Sequence, residues 1–403
     1  MSDFIERNFA REVDFLKALV RVPSDNPPGD CARHAETAAG LLEQLGFRVE
    51  RHPVPAELVK RHGMASVTNL IVRERFGAGG PTVALNAHGD VVPPGHGWSH
   101  DPYGAEEVGG AIYGRGAAVS KSDFASYAFA ILSLKDNPAG LRGTVELHLT
   151  YDEESGGFVG PKWLLDEKLT KPDFAISAGF SYAVVTAHNG VLHLEVTVKG
   201  KQAHAALPES GADALEAATS VLNALYAERR KLAKRTSRSP GIGTPKLTVG
   251  LISGGINTNV VPDRIVMRLD RRLIPEENGV KVERDLTALI KRAAKGKSIS
   301  VDVRRVILAE PLKPVVGIER LVEPLMHHAK RELKARIAVK GVPLYTDARH
   351  YSARGIPTVL YGAGPRSILE ANGHGANEHI KLSDLKAATR VIEATLRDLL
   401  SSK

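Results

Sequence analysis

Cysteine is nearly missing: Cys31 stands alone among 403 residues. A single thiol excludes an internal disulfide and any cysteine-rich metal site, and reads as a packed or surface group. No apolar run approaches the length of a membrane span, and the opening stretch MSDFIERNFAREVDFLKALV has early acids and no apolar signal core. Neither an anchor nor an export signal is expected, so the chain reads as cytoplasmic, with no membrane partner. A basic arm is lacking too. Lys and Arg number 54 and the net charge is +8, yet these residues are dispersed, which argues against a nucleic-acid partner. The densest cluster, Arg229, Arg230, Lys231, Lys234, Arg235 and Arg238, runs into Ser-Pro-Gly-Ile-Gly. It reads as a solvated helix end entering a mobile loop. A basic surface of this kind steers small anionic substrates. There are no repeats or low-complexity tracts.

The ordinary globular balance of 43% hydrophobic and 25% charged residues spread over this length predicts two domains. Apolar spacing predicts helices over 8–21, 31–45, 121–135 and 158–168, with PSDNPPGD breaking the chain after the first. Between them lie the strand-like runs FRVERH, NLIVRE, TVALNAH, GTVELHLTYDEE and DFAISAGF. Such alternation predicts an α/β layered domain, whose ligands gather at the carboxyl ends of strands. His88 and Glu153 stand at such ends. From about 190 the texture changes: an alternating strand, a helix over 210–233, strands at 246–252 and 264–273, a helix over 281–295 and the strand SISVDVRRV predict an α+β unit. After 310 come helix, loop, the strand TVLYGAG and a helix from 382.

Four segments carry candidate chemistry. TVALNAH delivers His88, followed two residues later by Asp90; the pair suits either a metal ligand steadied by a carboxylate or a hydrogen-bonded structural histidine. TYDEESGG sets Asp152, Glu153 and Glu154 together at a strand end. Their repulsion calls for a cation or raised pKa values, unless the turn is simply exposed. NGHGANEHIKLSDL offers His374 and Glu378 before a helix, and GKQAHAALPESGADALEAA offers His204 between a strand and a helix. A lone histidine in such a place is more often a surface residue than a ligand.

Taken in order, HGDVVPPGHGWSHDPYGAEEVGGAIYGRGAA, YDEESGG, GKQAHAALPESGADA, GGINTNVVPDRIVMRLDRR, YTDARHYSARGIPTVLYGAG and HGANE resemble one family. It is that of the metal-dependent amidohydrolases and exopeptidases typified by acetylornithine deacetylase, succinyl-diaminopimelate desuccinylase, aminoacylase and glutamate carboxypeptidase. The resemblance runs from about residue 10 to 400. It implies a layered mixed-sheet, metallopeptidase-like catalytic domain, residues 1–189 and 306–403, with an inserted α+β, ferredoxin-like lid and dimerisation domain, residues 190–305. It further implies that His88, Glu154 and His374 are metal ligands, that Asp90 steadies His88, and that Glu153 is the general base. His204 would reach a neighbouring subunit's site to polarise the scissile carbonyl, while Asn259 and Arg272 would hold the substrate. A homodimer or higher homo-oligomer is expected.

Two positions depart from that pattern. The metal-bridging carboxylate belongs at Val119, which has no lone pair, and a further acid belongs at Gly179. What remains is two histidines and a carboxylate, close to the ligand set of a catalytic zinc site with one open position. Ser120, Asp123, Ser177, Ser181 and His188 are candidate replacements, Asp123 foremost as an additional ligand. The expectation is therefore a hydrolase of a C–N bond, amide or aryl amine, in a small carboxylate-bearing substrate, with one divalent ion (zinc, manganese or cobalt) per subunit. An aminohydrolase of the nitroanthranilate type, which replaces an activated aromatic amine by hydroxyl, is one alternative. A two-metal deacylase or carboxypeptidase with substitute ligands is another, and an inactive ligand-binding homologue is a third.

Overall fold

Four parallel strands decide where the chemistry of this molecule lies. The structure is a computed structural model in which residues 3–401 are described. Its large sheet runs in the order Val49–Pro53, Thr68–Arg75, Thr144–Thr150, Thr82–His88, Phe174–Ser177, Thr358–Leu360, Ala183–His188, Ala338–Val342. The strands Thr144–Thr150, Thr82–His88, Phe174–Ser177 and Thr358–Leu360 are mutually parallel, and antiparallel neighbours flank them. His88 is level with Thr150, Asn86 with Ser177, and Ser177 with Leu360. All four therefore end along one edge. Being covered on both faces, they read as nearly unbroken apolar runs, and TVALNAH is buried from Val83 to His88.

The covering layers follow from composition. Helix Lys121–Asp136 is apolar all round and buries Phe124, Tyr127, Phe129, Ile131 and Leu134, as a helix at the centre of a large core must. It packs with Phe4–Val20 and Leu382–Leu400 on one side of the sheet. Pro161–Asp166 and Ala348–Ser352 close the other side through Leu165 and Tyr351 on Ala84 and Ala175. The first helix starts at Phe4 rather than residue 8, because the Asp3 carboxylate accepts the Ile5 amide and caps it. The helix expected over 158–168 is shorter, since Gly156 and Gly157 are in the left-handed region and Pro161 opens the first turn. Among the described residues no helix is long and apolar enough to cross a membrane.

A small sheet, Glu106–Val108, Ala111–Tyr113 and His379–Lys381, was not legible in the sequence. It joins the segment after Val108 to the segment after His374.

The chain divides into two compact units, one of Met1–Thr186, Pro314–Lys340 and Thr346–Lys403, the other of Ala187–Lys313 and Gly341–Tyr345. The second has the order strand–helix–strand–strand–helix–strand: Gly190–Lys199, Ala214–Leu232, Lys246–Gly254, Arg264–Leu273, Gly279–Ala293, Ser300–Ala309. Its antiparallel sheet has Arg264–Leu273 and Gly190–Lys199 inside and the other two strands at the edges, the ferredoxin-like arrangement. Leu194, Val196, Val221, Leu225, Met267 and Ile290 fill the space between sheet and helices. The basic loop after Leu232 is less free than its composition suggests, because Arg235 pairs with Glu277 at 3.0 Å and the Arg238 amide donates to Glu276 at 2.7 Å.

One buried group gives the first unit a pH signature. Glu12, on helix Phe4–Val20, is fully buried with Oε2 unpartnered, and burial pushes its carboxyl from 4.5 to about 8. Its folded-state value lies above the unfolded one. Its contribution is therefore neutral below about pH 4.5 and increasingly unfavourable up to about 8, at a slope of up to about 1.4 kcal/mol per pH unit. Glu12→Gln, which keeps the Thr389 contact, is expected to match the wild type in Tm near pH 4 and to exceed it progressively up to pH 8. Parallel melting curves at both pH values would contradict this.

Candidate metal centre

The edge where the parallel strands end collects the acids and histidines. His88 closes its strand and is buried; its Nδ1 lies 3.0 Å from the Asp90 carbonyl oxygen and 3.4 Å from Asp90 Oδ1. Nε2 is left for an outside partner. Asp90, fully buried, accepts the amides of Glu153 and Glu154, each at 3.1 Å, and the Asn26 side-chain amide at 3.0 Å. One carboxylate thus fixes both the histidine and the turn that carries the two glutamates. Asn26 was not foreseen, because nothing in PSDNPPGD marks its side chain as inward-facing.

Ligand atoms of His88, Glu153 and Glu154 lie within 4.8 Å of one another, the one such set among the described residues. His374 reaches it through Glu154, with Nε2 3.2 Å from Oε1. Two ligands of one tetrahedral ion with bonds of about 2.1 Å stand about 3.4 Å apart. The Glu154–His374 pair already has that spacing. His88 lies within 4.8 Å of Glu154 but does not form such a set with His374, so Glu154 is the group the two imidazoles share.

The electrostatics of the cluster favour a positive charge. Burial, helped by Glu154 and Asp90, pushes the Glu153 carboxyl up to about 8. Burial opposes charge on His88, but Asp90, Glu153 and Glu154 outweigh it and hold the imidazole protonated well above 6.5. His374 is raised chiefly by its contact with Glu154. Behind them, burial pushes Asp347 up to about 8 and Asp152 well above 3.8. Metal-free, the cluster retains protons where a cation would let it ionise. Imidazole and carboxylate donors suit zinc, manganese or cobalt, so the residues present fit a divalent transition ion.

The candidate replacements are engaged elsewhere. Ser120 exchanges hydrogen bonds with the His88 backbone at 2.9 and 3.0 Å, Ser177 donates to Asn86 at 3.0 Å, and Ser181 to the Gly364 carbonyl at 2.8 Å. His188 lies in the second unit, its Nδ1 2.8 Å from the Asn189 carbonyl oxygen. Asp123 is buried, its Oδ1 takes the Ala363 amide at 2.8 Å, and burial raises its pKa to about 8. It lies outside the ligand set. At Gly179 a Cβ would stand 2.8 Å from both Leu360 Cβ and the Tyr361 nitrogen. An acid there requires backbone movement, not merely a changed side chain.

In the second unit His204 is exposed, with Nδ1 accepting the Ala206 amide at 3.1 Å. Asn259 is its neighbour through the Ala205 amide, which donates to the Asn259 carbonyl at 3.0 Å. Arg272 is held by Asp270, Nε to Oδ1 and Nη2 to Oδ2 at 3.0 Å each.

A doubly covered mixed sheet with imidazoles and carboxylates at the ends of its parallel strands, and an inserted ferredoxin-like unit, defines a metallohydrolase architecture. The sequence profile of peptidase family M20/M25/M40 matches residues 84–398, and the chain belongs to that family. It is therefore a hydrolase of a metal-dependent family acting on amide bonds. The succinyl-diaminopimelate desuccinylase of Gluconobacter oxydans (strain 621H) is 27% identical over 391 residues, 94% of this chain and 95% of that protein. An M20 metallo-carboxypeptidase from Sulfolobus solfataricus superposes with a TM-score of 0.76 at 20% identity, covering 99% of each chain. The YXEP protein of Bacillus subtilis, described as a dinuclear metal binding peptidase, gives 0.71 at 16% identity, over 98% of this chain and 100% of that one.

Proposed function

We propose that the chain hydrolyses a C–N bond in a small carboxylate-bearing substrate using one divalent ion, zinc, manganese or cobalt, per chain. The observation that carries this reading is the donor inventory. Val119 offers no donor, Gly179 has no room for one, and Glu154 with His374 already stands at single-ion spacing.

His88, Glu154 and His374 would hold the ion, which would supply polarisation of the scissile carbonyl and a more acidic water. Glu153 takes the proton of the attacking water and hands it to the departing amine. Its carboxyl, near 8 without metal, is drawn toward neutrality by an adjacent cation and so serves in both roles at neutral pH. Asp90 holds His88 and the glutamate turn in register. Residues 1–189 and 306–403 form the catalytic domain. Residues 190–305 form a lid whose His204 donates to the developing oxyanion from a neighbouring copy. Asn259 and Arg272 meet the substrate's carboxylate, for which Arg272 retains Nη1 beyond its pair with Asp270.

The lid edge Lys246–Gly254 carries Leu251 and Ile252, 63% and 51% exposed, and Ile256 just beyond it is 69% exposed. An open strand edge with apolar side chains supports self-association, so light scattering is expected to return twice the chain mass. A monomer would remove His204 from the mechanism.

A second reading has its own support. With Val119 replacing a carboxylate, no second ion helps activate the substrate, which favours a leaving group that departs easily, such as an electron-poor aryl amine. Protein stripped by chelator and reloaded with zinc, manganese or cobalt is to be screened against N-acyl amino acids, dipeptides and electron-poor aminobenzoates. Metal-dependent turnover of an amide class supports the first reading, and of aryl amines alone the second. Inert protein with metal bound places the chain with ligand-binding homologues.

A further inference from the structure

We infer that Glu378 is a positioning residue of this centre: paired with buried Arg115, it sets the His374 imidazole against Glu154. The inference rests on the metal reading above, since it concerns the placement of one proposed ligand.

The loop ANGHGANEH, residues 371–379, is not self-supporting. Asn372, His374 and Asn377 all have positive φ, at 51°, 63° and 58°, a region that residues with side chains occupy only when their surroundings hold them there. Those surroundings are Ser99, which exchanges hydrogen bonds with the Asn377 side chain at 2.9 Å each, and the turn 114–119. The Glu378 carboxylate is fully buried, and one oxygen accepts the amides of Ala118 at 3.1 Å and Val119 at 3.2 Å. The other oxygen is bound by Arg115 Nη1, and the Glu378 carbonyl accepts the Gly114 amide at 2.9 Å. Arg115 is 1% exposed, donates to the Pro94 carbonyl at 3.2 Å and lies over the Trp98 ring. Beyond the loop, His379–Lys381 continues the same junction as a strand beside Ala111–Tyr113.

Two considerations turn this junction into an inference about the centre. A fully buried ion pair is a weak source of stability, because desolvation offsets the attraction, and fixing one arrangement is its best-attested use. The arrangement fixed here brings the carboxylate of the residue four after His374 onto the amide of Val119, the position where the family resemblance expects a bridging carboxylate. With valine at 119, no ion can link the turn to the His374 loop. The buried pair is then the side-chain tie between turn and loop, beside the Gly114–Glu378 backbone bond and the strand pairing, and it is the one closest to the half-exposed His374 side chain that faces Glu154.

The test uses the full chain loaded with cobalt, whose visible absorption reports the ligand set. Glu378→Ala is expected to weaken cobalt binding about 10- to 100-fold, the usual effect of removing a group that orients a ligand, and to shift the spectrum toward that of His374→Ala. Glu378→Gln, which keeps an acceptor for the two amides, should recover part of both. Adding Glu378→Ala to His374→Ala should cost no further affinity. Should Glu378→Ala fail to fold, Glu378→Gln and Arg115→Lys carry the same readouts. Leu396→Ala, a cavity in the buried core elsewhere, is expected to lower Tm while leaving the spectrum and Kd unchanged. Wild-type Kd and spectrum in both Glu378 variants would overturn the inference, as would losses in proportion to the fall in Tm. A wild-type chain that binds no cobalt overturns the metal reading first, and the two failures are distinguishable.

Discussion

Glu153→Ala protein is expected to fold, to bind its ion, and to turn over about 10²- to 10⁴-fold more slowly than the wild type, the usual contribution of a positioned acid–base group. The reasoning starts at the backbone. The Glu153 amide is fixed by Asp90, so removing the carboxylate leaves the turn in place, and Glu154 keeps its own amide contact with Asp90 and its 3.2 Å approach to His374. What is lost is the carboxyl that burial holds near 8, the group able to take and return a proton near neutrality. Steady-state rates, with Kd for the metal measured alongside, check the outcome. Unchanged turnover removes Glu153 from the mechanism, and lost metal makes it a ligand.

Glu154→Ala has the opposite signature, with metal binding failing before chemistry. The free energy of a four-ligand zinc site, about 10–16 kcal/mol, amounts to about 3 kcal/mol per ligand, or on the order of 100-fold in Kd. Glu154 should exceed that figure, because it belongs to the set with His88 and is also the group that His374 faces. Its loss separates the two imidazoles. Competition titration with a chelating dye reads the shift, and a Kd within threefold of wild type would show that the ion sits elsewhere.

The sequence carried the part of the site that depends on strand ends. TVALNAH and TVELHLT are buried almost throughout because parallel strands are covered on both faces, and the acids and histidine at their ends fall at the site-bearing edge. The groups that hold those residues were less visible, because their partners are remote in sequence. Glu378 meets Arg115 across 263 residues and Asp123 meets Ala363 across 240. Spacing placed Asp123 on the first turn of its helix, but only the return of the chain at 363 shows what its carboxylate touches. Arg349 and His350 are similar: both donate to the Gly156 carbonyl and so clamp the turn after Glu154, although YTDARHY reads simply as a polar stretch.

The substitutions at 119 and 179 were plain as letters, yet their physical meanings differ. Val119 occupies a turn still held by Glu378, so a carboxylate restored there would find its backbone in place. Gly179 fits against Leu360 and Tyr361 only because it has no Cβ, so the backbone itself has settled around the loss. Val119→Asp is accordingly expected to tighten the first ion rather than to create a second tight site.

The central claim is one ion per chain, and metal content tests it most directly. Protein equilibrated with excess zinc, manganese or cobalt, desalted and analysed for metal and for protein, is expected to carry one ion per chain. Anomalous diffraction from the same material should place that ion between Glu154 and His374. Two ions per chain, about 3.5–4 Å apart as in two-metal hydrolases and beside Val119, would contradict it.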